Sequence, residues 1–272
     1  MGSEMCIRDR RNVELARQSR LDLINQVKTA YYAYLLAKDS RRVIQESYDM
    51  AKLNYDIYSK KYTAGAASDY DVLRTSVAMK NIEPQLMQAD IAIKQARLQL
   101  LILMGLDASF KIEVPSGLSD YEDTMYQTVL DINPDYSGNS SLKLNSIDAD
   151  ITRRTVKLQQ FAWLPTLAIS ANYNWTSMSI SNQVSLAIDN INVNVKQIAS
   201  CSESVRQSKT AYEIARRSFE IGAASYLEIR DSELALTRSR LAYYQAIYNY
   251  LVARSELELL TGSFDLKPYT PA

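Results

Sequence analysis

A stretch of 44 residues occurs twice in this chain with its glycines in register. Gly65 and Gly105 of the first occurrence fall on Gly222 and Gly262 of the second, each 157 residues later. The corner Gly65-Ala66-Ala67-Ser68 maps without change onto Gly222-Ala223-Ala224-Ser225. Tyr55 maps onto Tyr212, and Ala96-Arg97 onto Ala253-Arg254. A glycine-to-glycine spacing kept free of gaps in both copies marks a duplicated structural unit.

Each copy reads as two long helices joined by a tight turn. Ile44, Tyr48, Ala51, Tyr55, Tyr58 and Tyr62 step by four and three into the first corner. Met79, Ile82, Leu86, Ala89, Ile93, Ala96, Leu100 and Leu103 continue that rhythm on the way out. Val205, Tyr212, Ala215 and Phe219 repeat it, followed by Leu236, Tyr243, Ala246, Tyr250, Ala253, Leu257 and Leu260. An average step of 3.5 keeps one apolar seam turned toward a partner helix. Gly65 and Gly222 stand where a helix must end, and glycine accepts the left-handed cap conformation. Ser68, Asp69 and Ser225 can cap the helices that follow. The unit is a helical hairpin.

Composition narrows the functions open to such hairpins. The 272 residues hold only seven glycines and six prolines, which suits long helices. Net charge is zero, so no basic surface is available for nucleic acid. Histidine is absent, which removes the commonest general base and metal ligand. Cys6 and Cys201 are too few for a disulfide framework or a zinc site, and Cys201 reads as a small packing residue. No phosphate-cradling glycine loop or paired nucleophile is present, so the chain reads as a non-enzyme that needs no cofactor and no metal.

Six segments follow from the pattern. Residues 1–10 stand outside the periodicity and lack the apolar core of a secretory signal; they read as an adaptor-like scar. Residues 11–105 form the first hairpin, its descending helix kinked at Pro84. In 106–141 the periodicity fails among Pro115, Gly117, Pro134 and Gly138, which marks an irregular connector with a short helix near 123–132. Residues 142–178 begin as a helix and then change period. Leu167, Ile169, Ala171, Tyr173 and Trp175 alternate with small polar residues, as in a strand apolar toward lipid and polar toward a wet lumen, or in one strand of a soluble sheet. Residues 179–262 form the second hairpin, and 263–272, with Pro268 and Pro271, read as a disordered tail. No run of eighteen apolar residues offers a transmembrane helix.

With its doubled Tyr/Phe-x-x-Gly-Ala-Ala-Ser corner, its Leu-rich helices ending in glycine and its Leu164-Pro165-Thr166-Leu167 entry to a strand, the chain resembles the TolC-type outer-membrane efflux proteins over residues 11–262. That resemblance implies a mainly α fold: two coiled-coil hairpins in internal repeat, with a minor β element from a trimeric outer-membrane barrel. It implies a homotrimer in the outer membrane and periplasm of a Gram-negative bacterium, in contact with outer-membrane lipid. It also implies passive export of small molecules or proteins, with a periplasmic adaptor and an energised inner-membrane pump as partners.

Carried over position by position, the resemblance makes Gly65, Ala66, Ala67 and Ser68, with Gly222, Ala223, Ala224 and Ser225, the tips where the adaptor docks. It makes Glu228 and Asp231 rings that constrict the tunnel and favour cations; the residues alone equally suit first-turn carboxylates at a helix N-terminus. Phe219 and Ala224 replace a tyrosine and an arginine that hold the tip shut in the family's prototype. The first helix and strand pair of the family are missing before residue 12, and so is a return strand after Met178. The chain therefore reads as a truncated, internally deleted copy. A soluble coiled-coil scaffold is the alternative that heptads alone permit.

Overall fold

A computed structural model describes residues 2–112, 114, 117–122, 136–159 and 172–264; for 2–6, 155–159 and 172–177 it describes the backbone alone. Six α-helices and one 3-10 turn occur among the described residues, and no strand does. They are α1 Gly2–Thr63, α2 Asp69–Lys80, α3 Glu83–Leu103, the 3-10 turn Leu118–Tyr121, α4 Ser140–Gln159, α5 Asn172–Glu220 and α6 Tyr226–Thr261. None of these helices is long and apolar enough to cross a membrane.

The duplication is written into the backbone. Among the described residues, positive φ occurs only at the four register glycines: Gly65 at 73°, Gly105 at 68°, Gly222 at 76° and Gly262 at 68°. Each closes its helix with the same pair of hydrogen bonds. Ala66 N–H donates to Lys61 O at 2.7 Å and Gly65 N–H to Tyr62 O at 2.9 Å; Ala223 N–H donates to Ser218 O at 2.8 Å and Gly222 N–H to Phe219 O at 3.0 Å. This six-to-one and five-to-two pattern satisfies last-turn carbonyls and needs a left-handed residue.

Two details differ from the sequence reading. The helix after the first corner is not one kinked rod: it stops at Lys80 and restarts at Glu83, with Pro84 in the new first turn. Proline there gives up an N–H that has no helical partner in any case. Asn81 N–H and Ile82 N–H instead bond to Val77 O and Met79 O at 3.0 and 3.1 Å across the break. Residues 2–10, read as lying outside the pattern, are a helical extension of α1, with Ile7 buried.

The strand reading meets the structure at its end only. Leu167, Ile169 and Ala171 lie outside the described residues, as do the short helix near 123–132 and the tail beyond Phe264. Tyr173 and Trp175 fall in the first turn of α5, so the extended backbone read through 176 does not reach that far. A helix satisfies its own N–H and C=O groups, whereas a strand needs a neighbour for both edges.

The described chain gathers into two compact units. One comprises residues 30–127 and 193–251. Its core is a line of seam residues: Val43, Ser47 and Ala51 of α1, Thr75 and Ala78 of α2, Ala89 and Leu100 of α3, Ile198 and Cys201 of α5, and Ile229, Leu236, Ile247 and Tyr250 of α6. On α1 the buried line runs one residue ahead of the expected Ile44 and Tyr48, which are half-buried. Ser47 and Ala51 are small enough to let helices approach, and the larger side chains flank them. Tyr62, at the end of the expected seam, is 48% exposed.

In the same unit, Asp39 anchors the connector. Its Oδ2 accepts from Leu118 N–H at 2.8 Å, and Arg42 Nη2 lies 2.9 Å from Oδ1.

The other unit comprises residues 1–29, 128–192 and 252–272. Leu21, Leu144, Val184, Ala187, Ile191, Ala253 and Leu257 form its core. Asn139 caps α4, with Leu142 N–H donating to its Oδ1 at 3.0 Å, while its Nδ2 donates to Leu260 O at 2.7 Å. Asn25 Oδ1 accepts from buried Ser255 at 2.6 Å.

Candidate functional site: the paired corners

The two corners share one unit and lie together. Tyr58, seven residues before Gly65 of the first corner, meets Phe219, three residues before Gly222 of the second, with ring centroids 6.1 Å apart. It also meets Tyr226 of α6 edge to face at 5.5 Å. The Lys61 ammonium lies 5.5 Å from the Tyr58 ring and 5.7 Å from Phe219. Arg74 of α2 places its guanidinium 4.6 Å from the Tyr226 ring. Cation–aromatic contacts of this kind tie one hairpin to the other without a matched ion pair.

Above this layer the corners are bare. A methyl group built on Gly65 or Gly222 would meet nothing within 4 Å. Ala66, Ala223 and Ser225 are exposed and Ala67 and Ala224 half-exposed. Ile221 is 81% exposed beside Gly222. Short side chains there leave backbone within reach of an approaching molecule. Below the second corner, Met50, Leu53, Ile57, Tyr212, Phe219 and Ile229 line most of a groove of about 410 Å³.

Both outgoing helices begin with the same capping box. Asp71 N–H donates to Ser68 Oγ at 3.2 Å, and Ser68 N–H to Asp71 Oδ2 at 3.3 Å. Glu228 N–H donates to Ser225 Oγ at 3.3 Å, and Ser225 N–H to Glu228 Oε2 at 2.8 Å. The Ser68 hydroxyl and N–H hold the Asp71 carboxyl below its ordinary range. Glu228 thus closes a helix N-terminus in this chain. Asp231 stands exposed almost one turn further on.

Sequence reasoning placed the corners and their caps and put Tyr58 on the apolar seam, but gave no contact to Arg74 or Tyr226. Arg74 carried a signal: it occupies the position at which the second copy has Asp231. A reversal of charge inside an otherwise matched repeat points to contacts that the two copies do not share.

Residues 8–106 match the sequence profile of the family "Outer membrane efflux protein". No curated protein matches the sequence. Among solved structures, the Campylobacter jejuni CmeC outer membrane channel superposes with a TM-score of 0.74 at 16% identity, over 92% of this chain and 64% of that one. The Vibrio cholerae outer membrane protein VceC gives 0.74 at 14% identity, over 93% and 72%. The open Neisseria gonorrhoeae MtrE outer membrane channel gives 0.64 at 15% identity, over 93% and 68%. This chain therefore spans about two thirds of the length of each. Its fold is that of the TolC-type outer-membrane channels, and its first hairpin carries the sequence pattern of the outer membrane efflux proteins.

Proposed function

We propose that this chain is the helical part of an outer-membrane export channel: a passive conduit and not an enzyme, seated in the outer membrane and periplasm of a Gram-negative bacterium. The observation that carries this reading is the pair of bare glycine corners held side by side. The Gly65–Ser68 and Gly222–Ser225 corners serve as the docking tips for a periplasmic adaptor, which couples the channel to an inner-membrane pump. Small residues, and the groove beneath with its apolar floor and its Lys61, Arg216 and Glu220 rim, suit the tip of another helical hairpin.

A homotrimer is supported by apolar side chains left outside the seam. Tyr70, Leu73, Val77, Met87, Ile91 and Ile102 of α2 and α3 are exposed, as are Val193 and Ile214 of α5 and Ile221 just past its end, at multiples of seven residues. Heptad stripes that face solvent in one copy are what neighbouring helices cover. Around a threefold axis, Glu228 and Asp231 then give rings of three carboxylates that favour cations over anions. Leu167, Ile169 and Ala171 belong in this reading to a lipid-facing segment.

The test uses a full-length homologue. Replacing the residues that correspond to Gly222 and Ala223 by tryptophan is expected to abolish export while trimers persist on native gels. Unchanged drug sensitivity with the variant expressed at normal level would overturn docking at the corners.

A further inference from the structure

Glu233 of α6 is a carboxylate with nowhere good to be. It is 2% exposed, and its Oε1 accepts a single hydrogen bond, from the Ser47 hydroxyl of α1 at 3.2 Å. Its Oε2 is buried with no partner among the described residues, and so are Tyr226 Oη, Arg230 Nη1 and Arg74 Nε. The groups around it come from each packed element: Ser47 on α1, Tyr212 on α5, Tyr226 and Arg230 on α6, with Arg74 of α2 over the Tyr226 ring. One neutral hydroxyl and a guanidinium that makes no ion pair with it are thin compensation for a charge removed from water.

The repeat shows that hairpin packing does not require an acid at this place. The position 157 residues earlier is Ser76, and Arg230 corresponds to Leu73. The buried acid with its arginine is confined to the second copy, where α6 meets α1.

We propose that Glu233 is a proton-operated link between the two hairpins: with a proton on Oε2 the α1–α6 seam closes fully, and on ionisation it loosens. The proton comes from bulk water and goes to the oxygen that lacks a partner, which removes the buried charge and leaves the Ser47 bond in place. Burial pushes the Glu233 carboxyl above its ordinary value, while Arg230 and Ser47 pull it back only in part. The sign follows from that direction. The folded form holds the proton more tightly than the unfolded chain, so the link is strongest below the ordinary glutamate range. It is lost as pH rises through the higher value of the folded form. None of this depends on export.

Amide hydrogen exchange in residues 43–51 and 229–236 of the whole chain, corrected for intrinsic rates, tests the link. Protection of both segments is expected to fall as the pH is raised above the ordinary glutamate range. Glu233→Gln, which is neutral and of the same shape, is expected to abolish that fall and to keep the seam protected at the higher pH. Ser47→Ala removes the one bond that favours the ionised form, so the midpoint of the loss is expected to move to higher pH. A Glu233→Gln protein with the wild-type pH dependence overturns the proposal. So does a Ser47→Ala midpoint that stays where it was, and this second variant decides the matter if the first does not fold.

Discussion

Tyr58 and Tyr226 meet edge to face beneath the two corners, their ring centroids 5.5 Å apart and their planes at 78°. One belongs to the helix entering the first corner, the other to the helix leaving the second. The contact therefore joins the two repeats where both chains reverse. Arg74 lies over the Tyr226 ring at 4.6 Å, so the tyrosine contacts both an aromatic ring and a cation.

That geometry separates ring from hydroxyl at Tyr226. The side chain is 4% exposed, and its buried Oη has the Arg230 guanidinium nearby but no hydrogen bond of good geometry. Tyr226→Ala is expected to cost about 3–5 kcal/mol, the usual loss for a buried aromatic. Tyr226→Phe keeps the ring contacts and removes an unsatisfied group, so it is expected to be neutral or to stabilise by about 1 kcal/mol. Chemical denaturation of both variants measures the pair, and a Phe variant as unstable as the Ala variant would contradict the assignment.

The hairpins themselves were legible because two physical signals repeat. Helical period and glycine position reappear at one fixed offset, and all four glycines sit where the backbone demands a left-handed residue. The Ser68 and Ser225 caps were legible for the same reason, since short-range chemistry fixes them. What pattern could not supply was any contact made by one side chain across a long sequence gap. Asp39 reads as a polar residue on a long helix, yet it is 3% exposed and receives Leu118 N–H from 79 residues away. Glu233 likewise sits at a seam position, and its burial shows only once Ser47 is opposite. The boundary of α5 was missed because alternation over 167–175 is a local signal, and from Asn172 the backbone is helical.

The caps make an acid-side prediction. Asp71 is held below its ordinary value by the Ser68 hydroxyl and N–H. A carboxyl lowered in the folded state adds stability above its unfolded value, and that contribution disappears as pH falls through the folded value. Asp71→Asn is therefore expected to flatten the acid limb of stability against pH below about pH 4. Ser68→Ala should do the same and should also cost about 1 kcal/mol at neutral pH through the lost cap. Thermal unfolding followed by circular dichroism across that range reads both. An acid limb unchanged in Asp71→Asn would mean that the box does not persist in solution.

The four register glycines do not carry equal weight, and the difference is measurable. At Gly65 an added methyl meets open space, so Gly65→Ala is charged only with holding an alanine at φ 73°, about 1–2 kcal/mol. Gly262 has φ 68° as well, but there the methyl would lie 2.3 Å from Gly138 O and 2.6 Å from Gly138 C. Both neighbours are backbone, with no flexible end to swing aside. Gly138 is boxed in from its own side, since a methyl on it would sit 2.4 Å from Thr261 O. Asn139, next in the chain, ties this turn to the end of α6 through Leu260 O, so the segments cannot part without losing that bond. Gly262→Ala is accordingly expected to destabilise by about 2 kcal/mol or more beyond Gly65→Ala, and Gly138→Ala to match it without any left-handed strain. Equal losses at Gly65 and Gly262 would show that the backbone approach at Gly138 is looser than 2.3 Å implies.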